Sequence, residues 1–175
     1  MRIPAALVIG VAVVGVVTAC GSSGDGSSGD VPLRPPPKVA TLGPFVGECG
    51  NVTDDEVREI AGLQQLTTVF KNSVGCNYQS GGLVSPSVTF ASYRGSPIER
   101  ERAWVASVGR EPDKIEVSGH SGFMALSPGG QVCDLAVQLE DDFFEWSMSY
   151  GIYEPTGNAC DKMRRLAELT VERLG

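Results

Sequence analysis

The chain has 175 residues, with 14 Lys or Arg against 21 Asp or Glu, and its formal net charge is −7. This length fits one domain with a substantial hydrophobic core. The acidic balance argues against a nucleic-acid-binding surface and against electrostatic attachment to anionic lipid.

The N-terminal segment has the pattern of an exported lipoprotein. After Arg2 no charged residue occurs before Asp25, and aliphatic residues dominate the run between them. A positive start followed by an apolar stretch and small residues indicates a secretory signal peptide, here residues 1–19. A transmembrane helix, for which the stretch is at the short limit, and an ordinary signal peptide with an incidental cysteine are the alternatives.

The sequence VTAC, which ends at Cys20, fits the lipobox of bacterial lipoproteins. In that motif the chain is cut before the cysteine, and the cysteine thiol carries a diacylglycerol. Two or more acyl chains anchor a protein stably, whereas one holds it only marginally. We therefore predict that Cys20 is lipidated and holds the protein on the outer face of the plasma membrane.

A tether is predicted at residues 20–44, followed by a globular domain at residues 45–175. The sequence GSSGDGSSGD contains only Gly, Ser and Asp, which cannot bury apolar surface. The sequence VPLRPPPK follows, and its consecutive prolines favour extended polyproline II. Such a segment separates the domain from its anchor.

Four of the five cysteines are predicted to form two disulfides. Assigning Cys20 to lipid leaves an even number in an oxidising compartment. Three pairings are possible; we favour Cys49–Cys76 and Cys133–Cys160, because each pair brackets a compact segment of helix and strand. Zinc is the rival, but the chain has one His and no CxxC, so we predict no metal and no cofactor.

The first half of the domain is predicted to contain two helices and two strands. Thr53 and Glu56 form a capping box that opens a helix ending near residue 61. Ser96 and Glu99 form a second capping box, with Pro97 at the first helical position, for a helix that ends near residue 108. The strands are CNYQ at 76–79 and SVTFASY at 87–93.

The second half is predicted to be mainly sheet. Short strands at 115–117 and 123–126 flank the sequence GHSG. The sequences VCDLAVQLE and FFEWSMSY both alternate with period two, and the acids 141–142 between them predict a hairpin.

The last helix carries a clear apolar stripe. Asn158 can cap it, and the stripe recurs at helical spacing through Met163, Leu166, Ala167, Thr170, Val171 and Leu174. Strands with few helices and no βαβ rhythm predict an α+β single domain, in which two or three helices pack on a mainly antiparallel sheet.

No catalytic constellation is evident in the sequence. His120, the sole histidine, lies in GHSGF, which differs from the nucleophile elbow G-x-S-x-G at its last position. That elbow also needs a separate histidine, so we predict a turn between two strands here. Ser–His and Cys–His catalysis are thereby disfavoured, and we predict that the protein is not an enzyme.

Three other clusters have both a functional and a structural interpretation. Glu140, Asp141 and Asp142 with Glu145 can hold a weak hard cation, but a solvated hairpin turn is favoured. The three basic residues Arg94, Arg100 and Arg102 can bind an anion, but exposed ion pairs with Glu99 and Glu101 are favoured. The aromatic residues Tyr93, Trp104, Phe143 and Tyr153 can line a groove, although Trp104 on a helix is more often part of a core.

Several segments resemble the LprB-type lipoprotein family of actinobacteria, a group defined by a domain of unknown function. They are KNSVGC at 71–76, YRGSPIERER at 93–102, GHSGF at 119–123, DDFFEWS at 141–147 and CD at 160–161. The resemblance implies a lipid-anchored exported protein with an α+β domain, and it implies no activity.

From these observations we predict a non-enzymatic binding or accessory module. Its partners would be the membrane, through the acyl chains on Cys20, and an envelope lipid, a wall component or a membrane protein. The alternative is a wall-glycan hydrolase that uses carboxylates such as Glu140 or Asp142, which requires two carboxyl groups facing each other across a cleft.

Overall fold

The computed structural model describes residues 39–82 and 84–174, so the predicted signal peptide and Cys20 lie outside the described residues. The strands form one antiparallel sheet of seven strands, in the order β1-β2-β3-β7-β6-β5-β4. The predicted α+β class is confirmed. The strands are β1 Thr67–Lys71, β2 Gly75–Gln79, β3 Ser87–Tyr93, β4 Pro112–Val117, β5 His120–Leu126, β6 Val132–Leu139 and β7 Asp142–Ser149.

In the described residues three α-helices accompany the sheet: α1 Asp54–Ala61, α2 Ile98–Ser107 and α3 Ala159–Glu172. A short 3-10 turn, Glu48–Asn51, precedes α1. Among the described residues, none of the helices has the length and apolar character that crossing a bilayer requires.

Of the two predicted capping boxes, the structure contains the first. The Glu56 amide donates to Thr53 Oγ1 at 3.3 Å, and the Thr53 amide donates to Glu56 Oε2 at 2.9 Å. The second capping box is wrong, because Pro97 occupies the N-cap position of α2 and has no side-chain acceptor to offer. Ser96 instead accepts a hydrogen bond from Arg100 Nη2 at 3.0 Å.

The main core lies between α3 and one face of the sheet. The apolar residues that alternate along β6 and β7 face the helix, as their period predicts. The side chain of Trp146 is fully buried, and its indole Nε1 donates to Thr170 Oγ1 on α3 at 3.0 Å. The stripe of α3 is thus attached to the sheet by packing and by a buried hydrogen bond, which supplies the indole with a partner.

Both predicted disulfides are present and attach helical segments to this face. Cys49–Cys76 joins the 3-10 turn to β2, and Cys133–Cys160 joins β6 to the first turn of α3. Each bridge closes a sequence separation of 27 residues. In the chain-entropy model, a loop of this size contributes roughly 3–4 kcal/mol per bridge.

The opposite face of the sheet is covered only in part. A smaller core beneath α2 contains Ile98, Val105, Phe123, Ala125, Ala136 and Phe143. Beyond α2, the face over β2, β3 and β7 carries the small polar side chains of Asn77, Thr89 and Ser147, which are half-buried. A cleft therefore forms where α2 meets the uncovered part of the sheet.

The segment before the 3-10 turn is attached to the β6–β7 hairpin. Leu42 forms a β-bridge with Glu140, and the Gly43 amide donates to Asp142 Oδ2 at 2.9 Å. A Cβ at Gly43 would lie 2.4 Å from the Leu139 carbonyl oxygen, so this close approach requires glycine. Residues 41–43, which the sequence places in the tether, are thus part of the described domain.

Candidate functional site

The cleft at the edge of α2, here called the Trp104 cleft, has a volume of about 480 Å³. Its floor comes from β3, β6 and β7, and its wall comes from α2. Volumes of this size are typical of sites for small ligands. The lining residues are Thr89, Ala91, Tyr93, Arg100, Glu101, Trp104, Asp134, Glu145 and Ser147.

The register of the central strands brings two carboxyl groups together on the cleft floor. Ala136 on β6 is opposite Glu145 on β7, and Asp134 on β6 is opposite Ser147. Asp134 and Glu145 are therefore diagonal neighbours on the same face of the sheet, a separation that side chains of this length can reach across.

Asp134 is paired with an arginine. Arg110, which follows α2, places its Nε 2.5 Å from Asp134 Oδ2, and both side chains are largely buried. The same guanidinium lies over the Trp104 ring, 5.4 Å from the ring centroid, where a cation–π attraction operates. Burial raises the pKa of Asp134, and the neighbouring Arg110 opposes that shift. Arg110 therefore connects the acidic floor to the aromatic wall.

Glu145 is the unusual group of the cleft. It is 8% exposed, and no described residue donates a hydrogen bond to it or forms an ion pair with it. Burial, together with the charges of Asp134 and Glu101, raises the pKa of Glu145 to about 8, although Arg110 opposes the shift. At neutral pH this carboxyl group therefore holds its proton in most molecules.

Two aromatic side chains border the carboxyl groups. Tyr93 stacks on Phe143 with ring centroids 4.3 Å apart and an interplanar angle of 13°. Burial, with the charges of Glu145 and Glu101, raises the pKa of Tyr93 to about 12, so its hydroxyl stays protonated. Trp104 is 53% exposed and lines the cleft, so of its two interpretations the structure favours the groove over the core.

The predicted aromatic groove is present in part. Tyr93 and Trp104 line the same cleft, and Phe143 is buried beneath Tyr93. Tyr153 is exposed and is not among the residues of this cleft.

The predicted solvated turn at the β6–β7 hairpin is wrong for Asp142. This residue is 3% exposed and forms an ion pair with Arg94 at 2.9 Å. Its carboxylate also accepts from the amides of Gly43 at 2.9 Å and Gly95 at 2.6 Å. Asp142 therefore organises the backbone around it.

Among the described residues, no group of three or more acids, histidines or cysteines is arranged to hold a metal ion.

The structure does not bring the three predicted basic residues into one anion site. Arg94 pairs with Asp142, and Arg102 donates to the Pro112 carbonyl at 3.2 Å. Arg100 is on the rim of the Trp104 cleft. Arg94 directly follows β3, whereas Arg100 and Arg102 are two positions apart on α2, a spacing at which helical side chains do not face each other.

A turn joins β4 to β5 as predicted, but it consists of Ser118 and Gly119, and His120 is the first residue of β5. Ser118 and Gly119 have positive φ values of 48° and 86° and connect β4 to β5, and Val117 is opposite His120. This is the two-residue hairpin geometry, and it places His120 and Ser121 on opposite faces of the sheet.

A second, larger opening lies on the other side of α2. It has a volume of about 800 Å³ and includes charges of both signs, from Glu99, Arg102, Lys114, Glu140 and Asp141. Glu99, Lys114 and Glu140 are exposed, so water already solvates these charges. We therefore regard the Trp104 cleft as the candidate site.

Asp134 is not among the site residues predicted from the sequence, and Glu145 is among them only as a candidate cation ligand. The sequence does contain a signal for both residues. Asp134 and Glu145 lie in the two strands of the predicted hairpin, and each is on the face opposite the apolar face of its strand. An acid on this second face indicates a site only if another element buries the face. The sequence does not show which part of the sheet α2 covers.

Comparison with known proteins identifies the relatives of this chain. A family model described as "Protein of unknown function (DUF3558)" matches residues 15–173. The "Putative lipoprotein LprB" of Mycobacterium bovis is 36% identical over 167 residues, which cover 92% of this chain and 90% of the relative. The protein of the same name from Mycobacterium leprae is 33% identical over 165 residues, covering 91% of this chain and 87% of the relative.

No solved structure matches the chain. The family match spans nearly all of the described domain, and the mycobacterial relatives match at nearly full length. The chain therefore belongs to the DUF3558 family of unknown function.

Proposed function

We propose that this protein is a lipoprotein held on the outer face of the plasma membrane by acyl chains on Cys20, and that its domain binds an envelope ligand without catalysing a reaction on it. The lipobox sequence and the lipoprotein name of the relatives support the anchor. Two disulfides, which persist in oxidising compartments, agree with an exported domain.

The observation that carries the binding function is the Trp104 cleft itself. It combines an exposed indole, a half-buried phenol and a carboxyl group that is 8% exposed and has no partner among the described residues. Buried polar groups in folded proteins normally have partners, so an unpartnered one that lines a cleft suggests a site that a ligand completes.

The anchor is tested by blocking lipidation. Cells treated with globomycin, which inhibits the lipoprotein signal peptidase, should retain the uncleaved form, and Cys20→Ala should abolish the acyl mass that intact mass spectrometry detects on the mature protein. If the Cys20→Ala variant were processed normally and its association with the membrane were unchanged, the proposed anchor would be wrong.

Binding is tested with the full-length acylated protein in detergent micelles. Soluble wall fragments released by muramidase digestion are added, and saturation-transfer NMR reports which of them contact the protein. We expect contacts that Trp104→Ala weakens and that the distant variant Tyr153→Ala leaves intact. Fragments that bind both variants equally would show that the cleft is not their site.

A carboxylate hydrolase is the second candidate. Asp142 does not suit it, since this residue is engaged by Arg94 and two amides. Glu145 fits better, because a carboxyl group with a pKa of about 8 holds a proton at neutral pH, as a general acid must. This candidate is tested by chromatography of wall glycan incubated with the parent protein or with the Glu145→Gln variant. Cleavage products that appear only when Glu145 is present would support the hydrolase and contradict the non-catalytic binding function.

A further inference from the structure

The charged groups of the Trp104 cleft do not balance. Three carboxyl groups belong to it, those of Glu101, Asp134 and Glu145, and two guanidinium groups face them, those of Arg100 and Arg110. Arg110 is paired with Asp134 at 2.5 Å. Arg100, on the rim, donates to Ser96 Oγ and lies close enough to Glu101 to lower its pKa, although burial keeps that pKa raised. Within the described part of the chain, no cation pairs with Glu145.

Among the residues that the structure describes, the surroundings of Glu145 offer no replacement partner. The charged or titratable groups that face it are Tyr93 on β3, Asp134 on β6, Glu101 and Arg100 on α2, and Arg110 after α2. An ionised carboxylate without a partner is costly to bury, so the free protein keeps Glu145 protonated. A cation that enters the cleft would make the ionised form favourable.

We propose that the Trp104 cleft binds a ligand through a primary ammonium or guanidinium group, which pairs with the Glu145 carboxylate between Tyr93 and Trp104. This inference rests on the proposed function, because it names the ligand class of the same cleft. The Glu145 O–H bond breaks on binding, its proton passes to the solvent, and the carboxylate that remains forms the ion pair.

Three observations favour an organic cation over other ligands. The described acids are not arranged as a metal site, so a metal ion lacks its ligand set. Tyr93 and Trp104 line the cleft, and aromatic rings attract ammonium and guanidinium groups, as the Trp104 ring does with Arg110 at 5.4 Å. The formal net charge of −7 raises the local concentration of cations near the protein surface.

The test compares matched probes on the full-length acylated protein in detergent micelles. Agmatine and Nα-acetyl-lysine methylamide carry the cation, and Nα,Nε-diacetyl-lysine methylamide is the neutral counterpart of the second probe. Carbon-13 NMR of glutamate labelled at the side-chain carboxyl follows the pKa of Glu145, and calorimetry in buffers of different ionisation enthalpy counts released protons.

We expect both cationic probes to lower the pKa of Glu145 and to release a proton at pH 7. Their affinity should increase by up to about tenfold per pH unit between pH 6 and pH 8. The binding constant of the neutral probe should be at least about tenfold lower than that of its charged counterpart. Glu145→Gln should abolish the pH dependence. Glu99→Gln, at an exposed acid on α2 that lines the other opening, should retain it.

The outcomes separate this inference from the proposed function. Equal binding of the charged and neutral probes, or binding without proton release, overturns the cationic ligand and indicates recognition by neutral hydrogen bonds. If the probes fail while wall fragments still require Trp104, the inference is wrong and the binding function stands. If neither the probes nor the fragments contact the cleft, both are wrong. Unfolding of Glu145→Gln would be visible in the same spectra, and Trp104→Ala then provides the second test of the site.

Discussion

Single residues in this domain depart from the roles that their sequence patterns favour, and they do so where α2 crosses the sheet. Trp104 is exposed on its helix, Asp142 is buried in a hairpin turn, and Glu145 is buried on a face that its alternation assigns to solvent. Period-two patterns define the two faces of a strand, but they do not specify what covers the second face. The candidate site therefore depends on how α2 packs against β6 and β7, which the periodicity of the strands does not specify.

Glu145 should make the stability of the protein depend on pH in a direction opposite to that of most acids. Its pKa is about 8 in the folded protein against a reference of 4.5, so between these values the folded state holds a proton that the unfolded state has lost. The stability contributed by this proton is fully present below pH 4.5 and is lost as the pH rises through 8. The slope reaches at most about 1.4 kcal/mol per pH unit.

Glu145→Gln removes this titrating group while keeping nearly the same shape. The difference in unfolding free energy between the variant and the parent protein, measured by urea denaturation from pH 5 to pH 8.5, should increase in favour of the variant as the pH rises. Glu99→Gln is the matched control on an exposed acid. A difference for Glu145→Gln that stays constant with pH would contradict the buried, protonated carboxyl group.

At the scale of elements, strongly periodic segments were predictable and marginal ones were not. The β6–β7 hairpin and α3 have clear apolar stripes, and both occur as the sequence predicts. Strand β1 was missed, because all five of its residues are exposed and no burial alternation marks them. It forms by pairing with β2, with an irregular register between Thr68 and Phe70. Tertiary pairing, rather than local propensity, determines such an edge strand.

The start of α1 is stabilised by a residue that serves two elements. Glu56 accepts from the Thr53 amide in the capping box and also pairs with Arg173 beyond the end of α3, at 2.6 Å. The Arg173 pairing and the Thr53 hydrogen bonds hold the pKa of Glu56 at about 2, well below its usual range. This residue therefore connects the N-terminus of α1 to the C-terminus of α3.

Two substitutions at Glu56 separate these contributions. Glu56→Ala should lose both the cap and the pair, at a cost of about 1–2 kcal/mol in the free energy of unfolding. Glu56→Gln retains the cap acceptor and should lose only the charge, which is worth less than about 1 kcal/mol for a partly exposed pair. Urea denaturation at pH 7 measures both values. Equal losses in the two variants would mean that the capping box contributes little.

At the scale of the whole molecule, the two disulfides attach the helical layer to the sheet at separate places. Cys49–Cys76 is near the edge formed by β1 and β2, and Cys133–Cys160 is at β6, next to the central strand β7. This pairing was predictable because each pair brackets one short segment of helix and strand. The sequence could not indicate that both bridges lie on the α3 side, because that depends on how β2 and β6 align within one sheet.

Removal of either bridge should destabilise the domain by about 2–5 kcal/mol, since each closes a loop of the same length. The double variants Cys49→Ala/Cys76→Ala and Cys133→Ala/Cys160→Ala should therefore unfold at clearly lower temperatures in calorimetry. Reduction of the parent protein should lower its midpoint further than either double variant alone. An unchanged midpoint after complete reduction would mean that the bridges play no part in stability.

The attachment of residues 41–43 to the β6–β7 hairpin has a mechanical consequence. Any pull along the N-terminal chain reaches the domain at Thr41 and Gly43, whose amides are held by Asp141 and Asp142. These acids lie at the tip of a hairpin in the middle of the sheet, between β3 and β5, instead of on an edge strand. A force on the domain is therefore distributed over the hydrogen-bonded strand pairs on both sides of the hairpin, and it does not separate the strands from the sheet one at a time.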